Sequence, residues 1–135
     1  GRQAITHYKV LHYFDFFALL AVDLETGRMH QIRVHFDHLG HPLLGDLLYN
    51  TRARVHSIVP PNMKRKVSEL LINHLRRQAL HAWRLEFVHP ISGKELDIHT
   101  PPPEDMLYTL SWLDSNFAID KPSLNLEAIL KEELQ

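Results

Sequence analysis

Ten consecutive residues, Thr26-Gly27-Arg28-Met29-His30-Gln31-Ile32-Arg33-Val34-His35, gather two arginines, two histidines and a glutamine into one turn and the element that follows it. So many donors and cations exceed what a solvated face needs, and they point to a site facing phosphate or nucleotide. A turn-rich stretch follows, Leu39-Gly40-His41-Pro42-Leu43-Leu44-Gly45-Asp46-Leu47-Leu48-Tyr49. Its Asp46 invites comparison with a nucleophile. A turn aspartate after glycine is more often an Asx-type residue whose carboxylate accepts backbone N–H groups.

Other chemistries find less support. Four of the 11 histidines fall between residues 30 and 41. On a helix His35 and His38 would share a face, with His41 just past its end. A hydrolytic zinc helix spaces two histidines four apart around a glutamate, and that pattern is missing, so no metal is expected. Ser57, Ser68, Ser92, Ser111, Ser115 and Ser123 all lack the Gly-x-Ser-x-Gly setting of a hydrolase nucleophile. There is no glycine-rich phosphate loop. With no cysteine in the chain, disulfides and thiolate metal sites are excluded, which fits a reducing cytoplasm.

The elements that must position these residues follow from periodicity. Ala4 to Phe14 and Phe16 to Leu24 read as strands, the second apolar enough to be covered on both faces. With only Asp15 between them they make an antiparallel pair. Beyond Glu25-Thr26-Gly27, Ile32, Val34 and Phe36 alternate as in a strand, whereas Ile32, Phe36 and Leu39 fall at helical spacing. Thr26 as a cap region and Gly40 as a stop favour the helix. On it Arg33 lies beside the buried stripe, where an unpaired cation is costly, and no anionic partner stands out in the sequence. Asn50 to Pro61 reads as irregular and basic. Lys64 to Leu75 reads as an amphipathic helix burying Val67, Leu70, Leu71 and His74. A hairpin is expected from Trp83–Val88 and Glu95–His99 around His89-Pro90-Ile91-Ser92-Gly93. A helix opened by Pro103-Glu104-Asp105 would bury Met106, Leu107, Leu110 and Leu113. A last helix is expected within Leu124–Leu134.

These elements make one α+β unit with a mixed or antiparallel sheet and flanking helices, and 135 residues at 44% hydrophobic support one core. No apolar run reaches the length of a membrane helix. The chain opens on Gly1 with a strand-like run almost at once, as expected of a chain cut from something longer. Its net charge of −1 hides an asymmetry: residues 52–84 carry eight Lys/Arg against Glu69 alone, while residues 85–135 carry three against ten Asp/Glu. The basic middle is either a polyanion-binding face or a solvated insertion.

The stretch Leu24 to His35, then Leu39 to Asp46 and Tyr49, resembles the signature of the RNA pseudouridine synthases that modify large-subunit ribosomal RNA, the RluA-type superfamily. Ala4-Ile5-Thr6-His7-Tyr8-Lys9-Val10, Arg77-Gln78-Ala79-Leu80-His81-Ala82 and Phe87-Val88-His89-Pro90-Ile91-Ser92-Gly93 agree with it, and their order is most similar to the synthase D subgroup. The resemblance covers residues 1–117 and leaves 118–135 as a peripheral helical tail. It implies the C-terminal portion of a catalytic domain that isomerises a chosen uridine in folded RNA without a cofactor. The family's catalytic aspartate lies in a His-Arg-Leu-Asp segment that this chain does not contain, so the chain is expected to be inactive without the missing N-terminal half. Arg33, closing His-Gln-Ile-Arg, resembles the arginine that pairs with that aspartate. Here it would be solvated, anion-bound or re-paired. Leu80 resembles the aliphatic residue under the target base, or is an ordinary core leucine. Arg28 and Gln31 of the motif, with Lys64, Arg65, Lys66, Arg76 and Arg77, are the candidate RNA contacts. The other reading is an RNA-binding module that kept the scaffold without the chemistry.

Overall fold

The computed structural model describes residues 6–24 and 29–134, apart from the side chains of residues 24 and 85–87. Strands β1 (Thr6–Tyr13) and β2 (Ala18–Leu24) pair antiparallel. Their register runs from Thr6 opposite Leu24 to Val10 opposite Leu20, then slips so that His12 faces Leu19 and Leu11 bulges. The expected second strand starts two residues late because Phe16 adopts a left-handed φ of 67° in the turn. That turn is tied down where the Asp15 N–H donates to the Phe117 carbonyl at 2.7 Å. β2 is not covered on both faces: Ala18 and Asp23 are exposed and residues 19–22 half-buried. A two-stranded sheet has no second layer to bury both sides.

The ambiguous segment is helix α1 (Met29–His38), with Ile32 and Phe36 buried. Its end is closed by Gly40 at φ 83°. The His41 N–H reaches the Phe36 carbonyl at 2.8 Å and the Gly40 N–H that of Asp37 at 3.0 Å, the paired bonds of a Schellman motif. The Tyr8 ring meets Phe36 edge-on at 5.3 Å, fixing α1 against β1.

The stretch expected to be irregular contains α2 (Arg52–Ile58). Thr51 caps it, its hydroxyl accepting from the Arg54 N–H at 3.3 Å. It buries Val55, and Val59 at its C-terminal cap is buried too. A short 3-10 turn, Pro61–Met63, leads into α3 (Lys64–Asn73), which buries Val67, Leu70 and Leu71. His74, expected on that stripe, lies past the helix end, exposed and stacked on Tyr108 with ring centroids 3.9 Å apart. Leu75 takes the buried place instead.

Strands β3 (Arg84–Val88) and β4 (Glu95–His99) form the expected hairpin. Helix α4 (Glu104–Asn116) carries its two acids in the first turn and buries Thr109, Leu110 and Leu113. Met106 is only half-buried and Leu107 exposed, so the stripe sits further round than expected. The Thr109 hydroxyl is satisfied by the Asp105 carbonyl at 2.7 Å, which makes its burial tolerable. Helix α5 (Leu126–Glu133) has no fully buried residue, although Leu124 and Leu126 pack against the core. That core joins Phe14, Val55, Val59, Val67, Leu71, Leu75, Leu110, Leu113 and Phe117. The fold is α+β, and every strand pairing among the described residues is antiparallel. No described helix is long and apolar enough to cross a membrane.

Candidate functional site around Arg33 and Asp46

The turn after α1 is built to deliver one buried carboxylate. Gly45 sits at φ 80°, and a Cβ there would fall 2.2 Å from the Arg77 carbonyl oxygen. No other residue fits that approach without moving backbone. The Leu44 carbonyl accepts from the Ala79 N–H at 2.8 Å, so the turn is fastened to the segment 77–79. Asn50 closes the loop, its side-chain amide donating to the Leu43 carbonyl at 3.2 Å.

Asp46 emerges from this frame 1% exposed. Its Oδ1 accepts from the backbone N–H groups of Leu48 at 3.1 Å and Tyr49 at 3.3 Å, the Asx-type pattern. From α1, Arg33 reaches it with a two-pronged grip: Nε donates to Oδ2 and Nη2 to Oδ1, both at 2.8 Å. Such fork-on-fork pairs fix geometry as well as charge. The Arg33 hydrogen bonds hold the Asp46 carboxyl below the usual carboxylate range against the opposing effect of burial, and the Tyr49 and Leu48 N–H groups add to it. The bond to Asp46 in turn raises Arg33 above the ordinary arginine value. The Tyr49 ring lies 5.5 Å from the Arg33 guanidinium carbon, and the His30 ring is 6.4 Å from Tyr49. Arg54 of α2 braces the loop from outside, its Nη1 donating to the Asp37 carboxylate at 2.6 Å and the Tyr49 carbonyl at 2.7 Å.

The partner sought for Arg33 outside the chain therefore has a counterpart within it, thirteen residues on. The Gly45-Asp46 turn carried that signal, but periodicity does not reveal which side chain faces it. Asp37 and Arg54 also escaped the sequence reading, and Tyr49 entered it only as part of the family-like stretch, with no contact assigned. Gln31 is half-buried near the start of α1. Leu80, half-buried, follows the Ala79 that anchors the Asp46 turn, and its carbonyl accepts from Arg77 Nη1 at 3.4 Å. Arg77 itself is committed to Asp105 of α4, with Nε–Oδ2 and Nη2–Oδ1 both 2.9 Å. Lys64, Arg65, Lys66 and Arg76 are exposed, and among the described residues Arg65 alone of these has a carboxylate neighbour, Glu69 at 3.6 Å. Arg28 lies outside the described residues. His38 and His41 are exposed, and no group of three or more potential ligands among the described residues could hold a metal ion.

Chemically, the site offers a fixed, permanently charged guanidinium beside an aromatic ring. It can hold a carboxylate or phosphate and stabilise negative charge. Asp46, ionised and bound on both oxygens, is poorly placed to take a proton at neutral pH.

Sequence comparison decides the family. A model described as RNA pseudouridylate synthase matches residues 1–38. The ribosomal large subunit pseudouridine synthase D of Vibrio cholerae serotype O1 is 48% identical over 107 residues, 79% of this chain and 32% of that protein. The synthase of the same name from Escherichia coli K12 is 42% identical over 128 residues, 93% of this chain and 37% of its own length. By sequence, this chain belongs with the RNA pseudouridine synthases. It spans about a third of the length of the curated relatives it matches. The His-Gln-Ile-Arg stretch of this chain sits on α1, and Gly45-Asp46 forms the turn that its arginine grips.

Proposed function

We propose that the chain forms the arginine-bearing part of a pseudouridine synthase catalytic domain acting on large-subunit ribosomal RNA. Residues 1–117 would belong to that domain, with 118–135 as an appended helical tail. The observation that carries the proposal is Arg33: the residue that closes the family motif is also the one held rigidly, by a buried carboxylate, with part of its side chain still in contact with solvent. The catalytic aspartate would come from a segment outside these 135 residues, so the chain alone is expected to be inactive. Arg33 would pair with that aspartate, and Leu80 would pack under the target base.

The reaction breaks the N1–C1′ glycosidic bond of uridine and forms a C5–C1′ bond; the C5 hydrogen leaves to water and N1 takes up a proton, with no cofactor. A base cannot be reworked at C5 inside a helical stack, so it must be flipped out, at a cost of a few kcal/mol. Cationic contacts to the phosphates offset that cost without specifying the sequence. Lys64, Arg65 and Lys66 support this role because they crowd the N-terminus of α3, where the macrodipole disfavours cations. Arg28, Gln31 and Arg76 are the other proposed RNA contacts; Arg77, already forked to Asp105, would have to leave that carboxylate first. A cysteine-free chain acting on ribosomal RNA is expected in the cytoplasm.

A second reading, a non-catalytic RNA-binding module, draws on the fact that Asp46, the carboxylate at Arg33, is fully engaged. Tritium release from C5-labelled uridine in large-subunit ribosomal RNA separates the two. Release only when an aspartate-bearing segment is supplied supports the synthase. Retained RNA binding without release under either condition supports the module, and release by the chain alone overturns the assignment of roles.

A further inference from the structure

The Arg33–Asp46 pair raises a problem for any mechanism that needs Arg33 to hold another carboxylate. Either Arg33 must let go of Asp46, or one guanidinium must serve two acids. The geometry favours the second. Asp46 uses the side edge of the guanidinium, Nε and Nη2. No described residue accepts from Nη1, and the Arg33 side chain is 21% exposed while that of Asp46 is 0%. A planar guanidinium carries five N–H donors, of which this grip uses two. The remaining end edge, Nη1 with the second N–H of Nη2, has the same fork spacing and matches another carboxylate or a phosphate.

Letting go is the harder course. Asp46 would keep its charge in a place water does not reach, with the Leu48 and Tyr49 N–H groups as its remaining partners. Gly45 and the Leu44–Ala79 bond prevent the turn from carrying the carboxylate outward. The anchored acid therefore holds the mobile side chain.

We infer that Asp46 is a positioning residue that holds Arg33 by its side edge and leaves the end edge for a second carboxylate or a phosphate. Tyr49, whose N–H binds Asp46 and whose ring lies against the guanidinium, keeps the plane of Arg33 in register with both acids. The catalytic role of this arrangement rests on the synthase reading; the sharing of one arginine by two anions does not.

The first test uses nitrogen-15 NMR of the arginine side chains in the 135-residue chain, with acetate as the probe and Arg33→Lys to assign signals. Shared edges predict that acetate moves the Arg33 Nη signals and leaves its Nε–H in place. Movement of Nε–H with acetate would show displacement of Asp46, and stationary Nη signals would show a closed end edge; either overturns the inference. The second test measures tritium release with the aspartate-bearing segment supplied, per folded molecule. Asp46→Asn should lower kcat about 100-fold through misplacement of Arg33, with KM for the RNA changed less than about twofold. An unchanged kcat overturns the positioning role, whereas a merely structural role would reduce the folded fraction and not the rate per folded molecule. If the wild-type pair also fails to release tritium, the synthase reading falls and the NMR test alone judges the sharing.

Discussion

The buried carboxylate gives the most exacting prediction about stability. Asp46→Ala removes the acceptor for two Arg33 N–H groups and for the N–H groups of Leu48 and Tyr49. Hydrogen bonds to a charged group contribute roughly 1.5–3 kcal/mol net. Because Arg33 recovers water through its open side, and Leu48 is itself exposed, the sum falls well short of four full bonds. A loss of about 3 kcal/mol is expected. Asp46→Asn keeps one oxygen for the two backbone donors but turns an amide N–H or loses the charge towards Arg33, for about 2 kcal/mol. With a urea m-value of about 2 kcal/mol/M for a domain of this size, the midpoints should fall by about 1.5 M and 1 M.

The pH dependence provides an independent check. The folded state holds the Asp46 carboxyl below its ordinary value, so it binds that proton less readily than the unfolded chain does. The contribution is fully present above the unfolded value near pH 4 and is lost as pH falls through the lower folded value. Urea titrations from pH 7 to pH 2 should therefore show wild type and Asp46→Asn converging below about pH 4. Asp97, likewise held low by its hydrogen bonds to Arg84, titrates in both proteins and cancels in the difference. A gap of the same size at every pH, or no gap at pH 7, would refute the claim that this ion pair holds the turn.

Other outcomes follow from the same geometry. Gly45→Ala adds the left-handed penalty of about 1–2 kcal/mol to a collision with the Arg77 carbonyl, whereas Gly40→Ala, with open space at its Cβ position, meets the penalty alone; thermal melts should rank Gly45→Ala clearly below Gly40→Ala. Thr51→Ala removes the cap of α2 and should cost about 1 kcal/mol by urea unfolding. In RNA-binding titrations against salt, Arg28→Ala, Lys64→Ala and Lys66→Ala should each weaken affinity and flatten the salt slope by about one, and Arg77→Ala should leave the slope nearly unchanged. Equal slopes for Lys64→Ala and wild type would remove that lysine from the RNA-facing surface.

What could be read from the sequence, and what could not, divides along a physical line. Elements with a long periodic stripe or a sharp stop signal were legible: α1 from Ile32, Phe36 and Gly40, α4 from its proline and paired acids, the first hairpin from two apolar runs parted by Asp15, and the second from alternation and turn residues. α2 was not, since seven residues with one buried valine carry too little periodicity, and its real determinants are the Thr51 cap and the packing of Val55, with Val59 at the C-terminal cap, into the core. The same limit governs the site. Arg33 stood out because a cation beside an apolar stripe needs an anion, an argument that requires one element only. Naming Asp46 as that anion requires two elements and the angle between them, and that angle is set by contacts local pattern does not show: Tyr8 on Phe36, Leu44 on Ala79, Gly45 on Arg77. The glycine is the informative residue in retrospect. A Gly-Asp pair in a turn is ordinary when the aspartate faces water. When the glycine must let another backbone approach within reach of its missing side chain, the aspartate beside it is driven inward. A buried acid in the turn after a helix whose stripe carries an arginine then has an obvious counter-charge.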